Sequence, residues 1–243
     1  MGNGTAKLIE LKNIDFGYSG GHKVLNNLDF VLKKGDKIGL AAPNGSGKTT
    51  FFHVIMGLLK PTAGLIFLFG NEMKSEKDFS KIRHRIGLLF QDADDQLFSP
   101  TVLEDVAFGP LNMGMSKDEA IEISKKTLKY LGLDGFENRI TFKLSGGEKR
   151  LVSLATILSM DPDVLLLDEP TSGLDEKTKN HLKTVLCELD ISYVLISHEF
   201  DFLSETTNAI YAMDDGKINM DEILHIHSHR HAHKVGRLPH KHV

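Results

Sequence analysis

The sequence has 243 residues, 41% of them apolar, so the chain can bury a core for one globular unit or two intimate subdomains. The formal net charge of -4 comes from acidic and basic residues mixed along most of the chain, which argues against a nucleic-acid partner. A single cysteine, Cys187, excludes an internal disulfide, and the N-terminal residues lack the apolar core of a secretory signal. We therefore expect a cytosolic protein.

The N-terminal region predicts a small antiparallel β layer. Apolar and polar residues alternate from Leu8 to Leu32, and Gly20-Gly21 interrupts the alternation as a turn would. Further along, the apolar-rich stretch from Phe51 to Leu59 falls well short of the roughly 20 residues that span a bilayer. Contact with a membrane is therefore expected only through a partner.

Three short apolar runs predict buried parallel strands. They are Ile38–Ala41, Val164–Leu167 and Val194–Ile196. The first run leads into a glycine-rich loop, the second into Asp168-Glu169 and the third into Ser197-His198. Because ligands of open parallel sheets bind at the carboxyl ends of the strands, we expect these three ends to converge on one site.

Apolar residues at spacings of three and four predict helices over 116–131 and 148–158. We divide the chain accordingly. Residues 1–91 and 156–220 are predicted to form a core with its β layer, and residues 92–155 a helical subdomain. Residues 221–243 lack the apolar periodicity that would dock them, and they are interpreted as a flexible tail.

The loop before the first predicted helix has the pattern of a phosphate-binding loop. Gly45 and Gly47 allow backbone N–H groups to turn toward phosphate oxygens, Lys48 can reach the terminal phosphates and Thr49 offers a hydroxyl to Mg²⁺. Ala42 stands where the pattern has its first glycine. The alternative is a glycine-rich turn that only caps a helix. The predicted ATP-binding residues of this loop and helix start are Asn44, Gly45, Ser46, Gly47, Lys48, Thr49 and Thr50.

Two carboxylates follow the second buried strand. Asp168 is predicted to hold hydrated Mg²⁺, and Glu169 to orient or deprotonate the attacking water. An exposed acidic strand end is the alternative. The upstream Lys48-Thr49 pair and the following segment from Pro170 to Asp175 favour the catalytic interpretation.

The segment LSGGEKR, from Leu144 to Arg150, resembles the signature motif of the ATP-binding cassette (ABC) ATPases. The resemblance covers about residues 6–219. It implies an α/β fold, a P-loop NTPase domain with a RecA-like core, an antiparallel β layer and a helical signature subdomain. It also implies that Ser145, Gly146 and Gly147 cap the γ-phosphate held by an opposite subunit, in a homodimer or with a paralogous ABC ATPase. Ser145 and Glu148 also have the spacing of a helix capping box, and both interpretations can hold at once.

Four further residues fall in the order of the same family. Tyr18 resembles the aromatic that stacks on adenine, Gln91 the catalytic and metal-binding glutamine, Asp175 the dimer-contact aspartate and His198 the switch histidine. The alternatives are an edge-strand aromatic, with Phe16 competing for the adenine, a solvated glutamine and a core histidine.

The segments from Asp92 to Phe98 and from Thr101 to Pro110 resemble the ATPases of energy-coupling-factor importers. That resemblance implies a transmembrane coupling subunit and a substrate-binding membrane subunit, with this chain peripheral at the cytoplasmic face. Gln96, Leu97 and Phe98 become predicted contacts for a coupling helix. In the alternative, Leu97 and Phe98 pack inside the helical subdomain.

Seven of the 12 histidines lie in the tail, and His225, His227, His229, His231 and His233 alternate with other residues. Imidazoles favour nickel, cobalt, copper and zinc, so the tail is a predicted transition-metal site and shifts the expected cargo toward nickel or cobalt. A solvated tail is the alternative. The predicted cofactors are ATP and Mg²⁺. The rival functions are a vitamin importer, a soluble ABC ATPase without a transport role and a non-catalytic regulatory cassette.

Overall fold

The computed structural model describes residues 6–220. The predicted metal-binding histidines from His225 to His233 lie outside the described residues. No helix within the described range is long and apolar enough to cross a membrane.

The N-terminal β layer is an antiparallel sheet. Its strands are β1 (Lys7–Gly17), β2 (Lys23–Lys33), β4 (Ala63–Leu68) and β5 (Asn71–Glu72), in the order β2-β1-β4-β5. The first two strands pair directly, which confirms the predicted antiparallel pair. Their apolar side chains, among them Leu11 and Phe30, are buried because the alternation places them on one face of the pleated sheet.

The second sheet holds the three predicted buried strands. Its members are β3 (Lys37–Ala41), β6 (Ile86–Leu89), β7 (Val164–Asp168), β8 (Ser192–Ser197), β9 (Ala209–Asp214) and β10 (Lys217–Ile218). The order is β10-β9-β3-β8-β7-β6, and every pairing except that of β10 with β9 is parallel. All residues of β7 and β8 are buried, as expected for central strands of a parallel sheet that is covered on both faces.

Within residues 6–220, seven α-helices surround the sheets. They are α1 (Lys48–Ile55), α2 (Glu76–Ile82), α3 (Val102–Asn112), α4 (Lys117–Tyr130), α5 (Gly146–Leu158), α6 (Glu176–Glu188) and α7 (Phe200–Thr206). The predicted helices over 116–131 and 148–158 are confirmed as α4 and α5, although α5 begins two residues earlier at Gly146. A capping box between Ser145 and Glu148 explains that early start, since it satisfies N–H groups in the first turn.

The two faces of the parallel sheet build two separate hydrophobic clusters. Val164 and Leu166 of β7 pack toward the antiparallel sheet and α1, whereas Leu165 and Leu167 pack toward α3, α5 and α6. Each such side chain contributes about 1.5–3 kcal/mol by its burial. The predicted boundary between residues 155 and 156 falls inside α5, so the division into core and helical subdomain stays a prediction.

Candidate functional site

The predicted site lies where three parallel strands end. Register pairs Ala41 with Ser197 and Asp168 with Ile196, so the last residues of β3, β7 and β8 share one edge of the sheet. The chain leaves β3 through the loop of residues 42–47, which leads directly into α1. The convergence predicted from the apolar runs is therefore confirmed.

The loop of residues 42–47 depends on its glycines. Gly45 has a φ of 82° and Gly47 a φ of 97°, a region that glycine enters without steric cost. A Cβ on Gly47 would lie 2.9 Å from the carbonyl oxygen of Val24, so the loop also needs glycine there for its close approach to β2. Ala42 is buried and has a negative φ, which explains why alanine is accommodated in place of the usual glycine.

Lys48 begins α1 and points back across the strand ends. Its ammonium lies 2.8 Å from Oε1 of Glu169 and donates to the carbonyl oxygen of Ala42 at 3.3 Å. Both partners of the ion pair are nearly buried, with 11% of the lysine and 4% of the glutamate side chain exposed. A buried carboxylate requires such a partner, because desolvation is costly for an unpaired charge.

Glu169 is also held from its other side. Nδ1 of His198 lies 3.0 Å from Oε2, and the backbone N–H of Glu169 donates to the carbonyl oxygen of Ile196. The φ of Glu169 is 46°, a left-handed conformation that is uncommon outside glycine and that turns the chain sharply after β7. The imidazole itself is largely exposed, so His198 is not the buried core histidine of the alternative interpretation.

Thr49 and Asp168 form the neighbouring pair. The threonine hydroxyl donates to Oδ2 of Asp168 at 2.8 Å. Burial raises the pKa of Asp168, while the hydrogen bond from Thr49 and the charge of Lys48 act against the increase. Oδ1 of Asp168 is buried and has no hydrogen-bond partner among the described residues.

Thr49 and Asp168 border a cleft of about 850 Å³ that is also lined by Gln91, which follows Phe90 after the end of β6. Its wall offers the Thr49 hydroxyl, the Gln91 amide and the Asp168 carboxylate, and hard oxygen ligands are those that Mg²⁺ prefers. The unpartnered Oδ1 of Asp168 is an acceptor that a cation would satisfy. The residues present therefore fit Mg²⁺, although no cluster of three His, Cys, Asp or Glu side chains suited to a metal occurs between residues 6 and 220.

Tyr18 follows the last residue of β1 and lies beside the start of α1. Its ring is 54% exposed and packs edge-on against Phe16, with the centroids 5.0 Å apart. Its hydroxyl lies 3.1 Å from Oγ1 of Thr50 in α1. Phe16 is buried in the core, so of the two aromatics only Tyr18 offers a ring face to a ligand.

The predicted signature residues lie at the start of α5, where Ser145 is the N-cap and Gly146 lines the cleft. A Cβ on Gly147 would approach Thr178 to 3.1 Å, and Thr178 in turn donates to both carboxylate oxygens of Asp175, the cap of α6. Hydrogen bonds within the described residues do not connect Ser145 or Asp175 to Lys48 or Glu169. The signature thus lies beside Thr178, the partner of Asp175, and Gly146 shares the cleft with Thr49 and Asp168.

The predicted coupling-helix contacts separate in the structure. Leu97 is buried in the helical cluster, and the amide of Gln96 bonds to Ser153 and Thr156. Phe98, in contrast, is 68% exposed. As a predicted contact, Leu97 needs correction, since its side chain is buried. Gln96 borders the same surface groove as the exposed Phe98, and its contact stays a prediction.

Sequence reasoning missed one residue of this region. Arg150 is 4% exposed and donates to the carbonyl oxygens of Phe90 and Gln91. The signal was available, since Arg150 precedes Leu154 and Ile157 at helical spacings and so falls on the buried side of α5. A charged residue on an apolar helix face implies a buried acceptor.

Known proteins of one family resemble this chain over most of its length. The family described as ABC transporter matches residues 25–172, more than half of the chain. A protein of Nitratidesulfovibrio vulgaris that is named as an ABC transporter ATP-binding protein is 46% identical over 97% of this chain and 86% of its own length. The energy-coupling factor transporter ATP-binding protein EcfA of Methanocaldococcus jannaschii is 41% identical over 87% of this chain and 77% of its own length.

Two solved structures have the same fold. CbiO1 from Clostridium perfringens, part of the ABC transporter complex CbiONQ, superposes with a TM-score of 0.80 at 33% identity and covers 88% of each chain. A dimeric ATP-binding cassette with bound ADP and phosphate also reaches a TM-score of 0.80, at 28% identity, over 86% of this chain and 96% of its own.

The fold, the strand-end site and the signature define a P-loop ATPase of the cassette type. The chain belongs to the ABC transporter family and is an ATP-hydrolysing subunit. The predicted fold class is confirmed, and ATPases of this family use ATP with Mg²⁺ and act as dimers with membrane subunits.

Proposed function

We propose that this chain drives an ABC importer from the cytoplasmic face of the cell membrane, with cobalt or nickel ions as the cargo. Two copies, or this chain and a paralogous ABC ATPase, would enclose two ATP molecules. The observation that carries the ATPase part is the set of contacts at the strand ends, where Glu169 is held between Lys48 and His198.

Glu169 is the proposed general base. The terminal phosphates of ATP carry more negative charge than one carboxylate. When ATP binds, we therefore expect the Lys48 ammonium to leave Glu169 and pair with these phosphates. The released carboxylate can then take a proton from the attacking water, while His198 stays within hydrogen-bonding distance to orient it. The left-handed turn at Glu169 keeps the side chain at the strand end, where the phosphate must arrive.

Thr49, Asp168 and Gln91 are the residues that would hold Mg²⁺. The bound ion supplies charge neutralisation for the phosphate oxygens during transfer. The burial of Asp168 excludes water from one side of this group, and the hydrogen bond from Thr49 fixes the direction of its carboxylate. Asn44, Gly45, Ser46, Gly47 and Thr50 complete the proposed phosphate cradle, with Tyr18 beside it for the adenine.

The proposed dimer follows from the position of the signature. Ser145, Gly146 and Gly147 present the N-terminus of α5, whose N–H groups and dipole suit an anion. Thr178 bonds to Asp175 and lies beside Gly147, so the dimer-contact aspartate and the signature are neighbours in the fold. We propose that the signature caps the γ-phosphate bound by the partner subunit.

A groove of about 600 Å³ is the proposed binding site for the membrane subunit. Leu58, Phe98, Phe108 and Met113 line it and remain at least 40% exposed. The rings of Phe98 and Phe108 pack edge-to-face with their centroids 4.8 Å apart. An apolar helix of a transmembrane coupling subunit would cover this surface, and the floor of the groove reaches Phe90 beside Gln91.

The proposed cargo rests on two supports. EcfA and the CbiO1 subunit of the CbiONQ complex are among the similar proteins, and the tail from His225 to His233 has the residue type that nickel and cobalt prefer. The N. vulgaris relative matches 97% of the chain, which includes part of 221–243 because that segment makes up nearly a tenth of the sequence. We propose that the metal ion crosses the membrane through a coupling subunit and a substrate-binding membrane subunit.

Reconstitution with the membrane subunits tests the proposal. The complete complex in vesicles should accumulate radioactive nickel or cobalt only with ATP and Mg²⁺, and Glu169→Gln should stop the accumulation without loss of subunits. ATP-driven uptake of a vitamin with no uptake of either metal would overturn the cargo. An assembled complex that hydrolyses no ATP would overturn the catalytic part.

A further inference from the structure

Arg150 connects the signature helix to the loop that carries Gln91. Its two terminal nitrogens donate to the carbonyl oxygens of Phe90 and Gln91, which are consecutive along the chain. A guanidinium has a rigid planar fork and can satisfy two acceptors at once, which a lysine ammonium cannot do with the same geometry. The contact therefore fixes the direction of the main chain at Gln91.

The surroundings of Arg150 make this contact strong. The residue is 4% exposed, and it lines the same cleft as Thr49, Gln91 and Asp168. Burial lowers the pKa of Arg150, and the charges of Asp92 and Asp168 act in the opposite direction. A hydrogen bond from a charged group gains strength where water is excluded.

Other contacts between α5 and this loop lie further from Gln91. Lys149 pairs with Asp94, and the amide of Gln96 bonds to Ser153 and Thr156. These bonds attach the segment after Gln91 to α5. Within residues 6–220, Arg150 is the hydrogen-bond donor to the carbonyl oxygen of Gln91 itself.

We propose that Arg150 is a positioning residue, which fixes Gln91 at the metal side of the site and couples its place to the helix that begins with the signature. The inference rests on the proposed role of Gln91 in binding Mg²⁺. A shift of α5 when the signature engages the partner's nucleotide would move the Gln91 peptide with it. Arg150 thus gives the chain a direct link between its own metal site and the opposite nucleotide.

A purely structural arginine would affect stability without changing the demand for Mg²⁺. The test is therefore the Mg²⁺ dependence of steady-state ATPase activity in the full chain, measured for wild type and Arg150→Lys. We expect the Mg²⁺ concentration at half-maximal activity to rise about tenfold, because one charge-assisted hydrogen bond to the loop is lost. Binding of ATP without Mg²⁺ should not change.

Arg85→Lys is the matched control, since Arg85 bonds to Asp163 away from the cleft, and its Mg²⁺ requirement should equal that of wild type. Thermal unfolding is recorded for each variant. If Arg150→Lys does not fold, Arg150→Gln takes its place, because its amide can still donate to one carbonyl. An unchanged Mg²⁺ requirement in the folded variant would overturn the inference.

Gln91→Ala separates this inference from the proposed function. If Arg150 acts through Gln91, Arg150→Lys should add no further change to the Mg²⁺ requirement of Gln91→Ala. An effect of Gln91→Ala with none from Arg150→Lys would overturn the inference alone. A Gln91→Ala protein with the wild-type requirement would overturn the metal role of Gln91, and the inference with it.

Discussion

The ammonium of Lys48 lies 2.8 Å from a carboxylate oxygen of Glu169, and the two residues are separated by 121 positions in the sequence. The pair joins the start of α1 to the end of β7. Because His198 binds the other oxygen of the same carboxylate, Glu169 is fixed from two sides at the centre of the site. Several consequences of this arrangement can be measured.

Replacement of Glu169 by glutamine should lower ATP turnover by about 10²- to 10⁴-fold, since an amide cannot accept the proton of the attacking water. ATP binding should be retained, because the phosphate cradle is untouched. Phosphate release and equilibrium nucleotide binding are the measurements. Glu205→Gln is the matched control, as Glu205 pairs with Lys183 on the surface of α7 and should leave turnover unchanged. Wild-type turnover in Glu169→Gln would remove Glu169 from the mechanism.

Lys48→Met should abolish ATP binding and also destabilise the fold, because it leaves the buried carboxylate of Glu169 without its cation. Loss of one partner from a buried ion pair costs about 3–5 kcal/mol, an upper range here since His198 remains. Addition of Glu169→Gln should restore part of the stability but none of the binding. Chemical denaturation of the two single variants and the double variant measures the coupling. Additive losses would show that the two side chains do not interact.

The cap of the signature helix should give a pH-dependent stability. The backbone N–H of Ser145 donates to the carboxylate of Glu148 and lowers its pKa from the ordinary 4.5, with further help from the Ser145 hydroxyl and Arg139. A lowered carboxylate pKa contributes stability that is present above pH 4.5 and is lost as the pH falls through the lowered value. The contribution should be about 0.5–1 kcal/mol, small because the site is partly exposed.

Glu148→Gln should therefore unfold at a lower temperature than wild type at neutral pH, and the difference should shrink once wild-type Glu148 is protonated. Thermal unfolding followed by circular dichroism across the acid range is the measurement. A difference that stays constant to the lowest pH would contradict the assignment.

The apolar groove predicts a separation between catalysis and assembly. Phe98→Ser with Phe108→Ser should prevent co-purification with the membrane subunit, since both rings line the groove and are exposed. Basal ATPase activity of the isolated chain should remain, as neither ring contacts the strand-end residues. Phe142→Ser is the matched control, because Phe142 is 72% exposed but does not line the groove. Equal loss of assembly in the double variant and in the control would contradict a specific binding site in the groove.

Deletion of residues 221–243 should remove nickel and cobalt binding measured by titration calorimetry and should spare ATP hydrolysis. Substitution of His225, His227, His229, His231 and His233 by asparagine in the full chain should have the same effect, because imidazole nitrogens are the predicted ligands. Metal binding that persists in both proteins would place the ligands elsewhere and favour a vitamin or another cargo.

The sequence by itself determined those features that depend only on residues close together in the chain. The apolar runs of β3, β7 and β8, the glycines of the loop of residues 42–47 and the capping box of Ser145 with Glu148 each need only neighbouring residues to be recognised. The signature segment was sufficient to indicate the ABC family for the same reason. The predicted strand-end convergence followed from the parallel order, which short apolar runs between helices imply.

Only the tertiary structure decided which distant side chains meet. The partners of Glu169, the acceptors of Arg150 and the burial of Leu97 beside an exposed Phe98 depend on contacts between elements that are far apart in the chain. A local sequence pattern does not specify such contacts, because they depend on the order of the strands in the sheet and on how the helices pack. The direction of one buried guanidinium toward Gln91 is therefore a property of the folded chain.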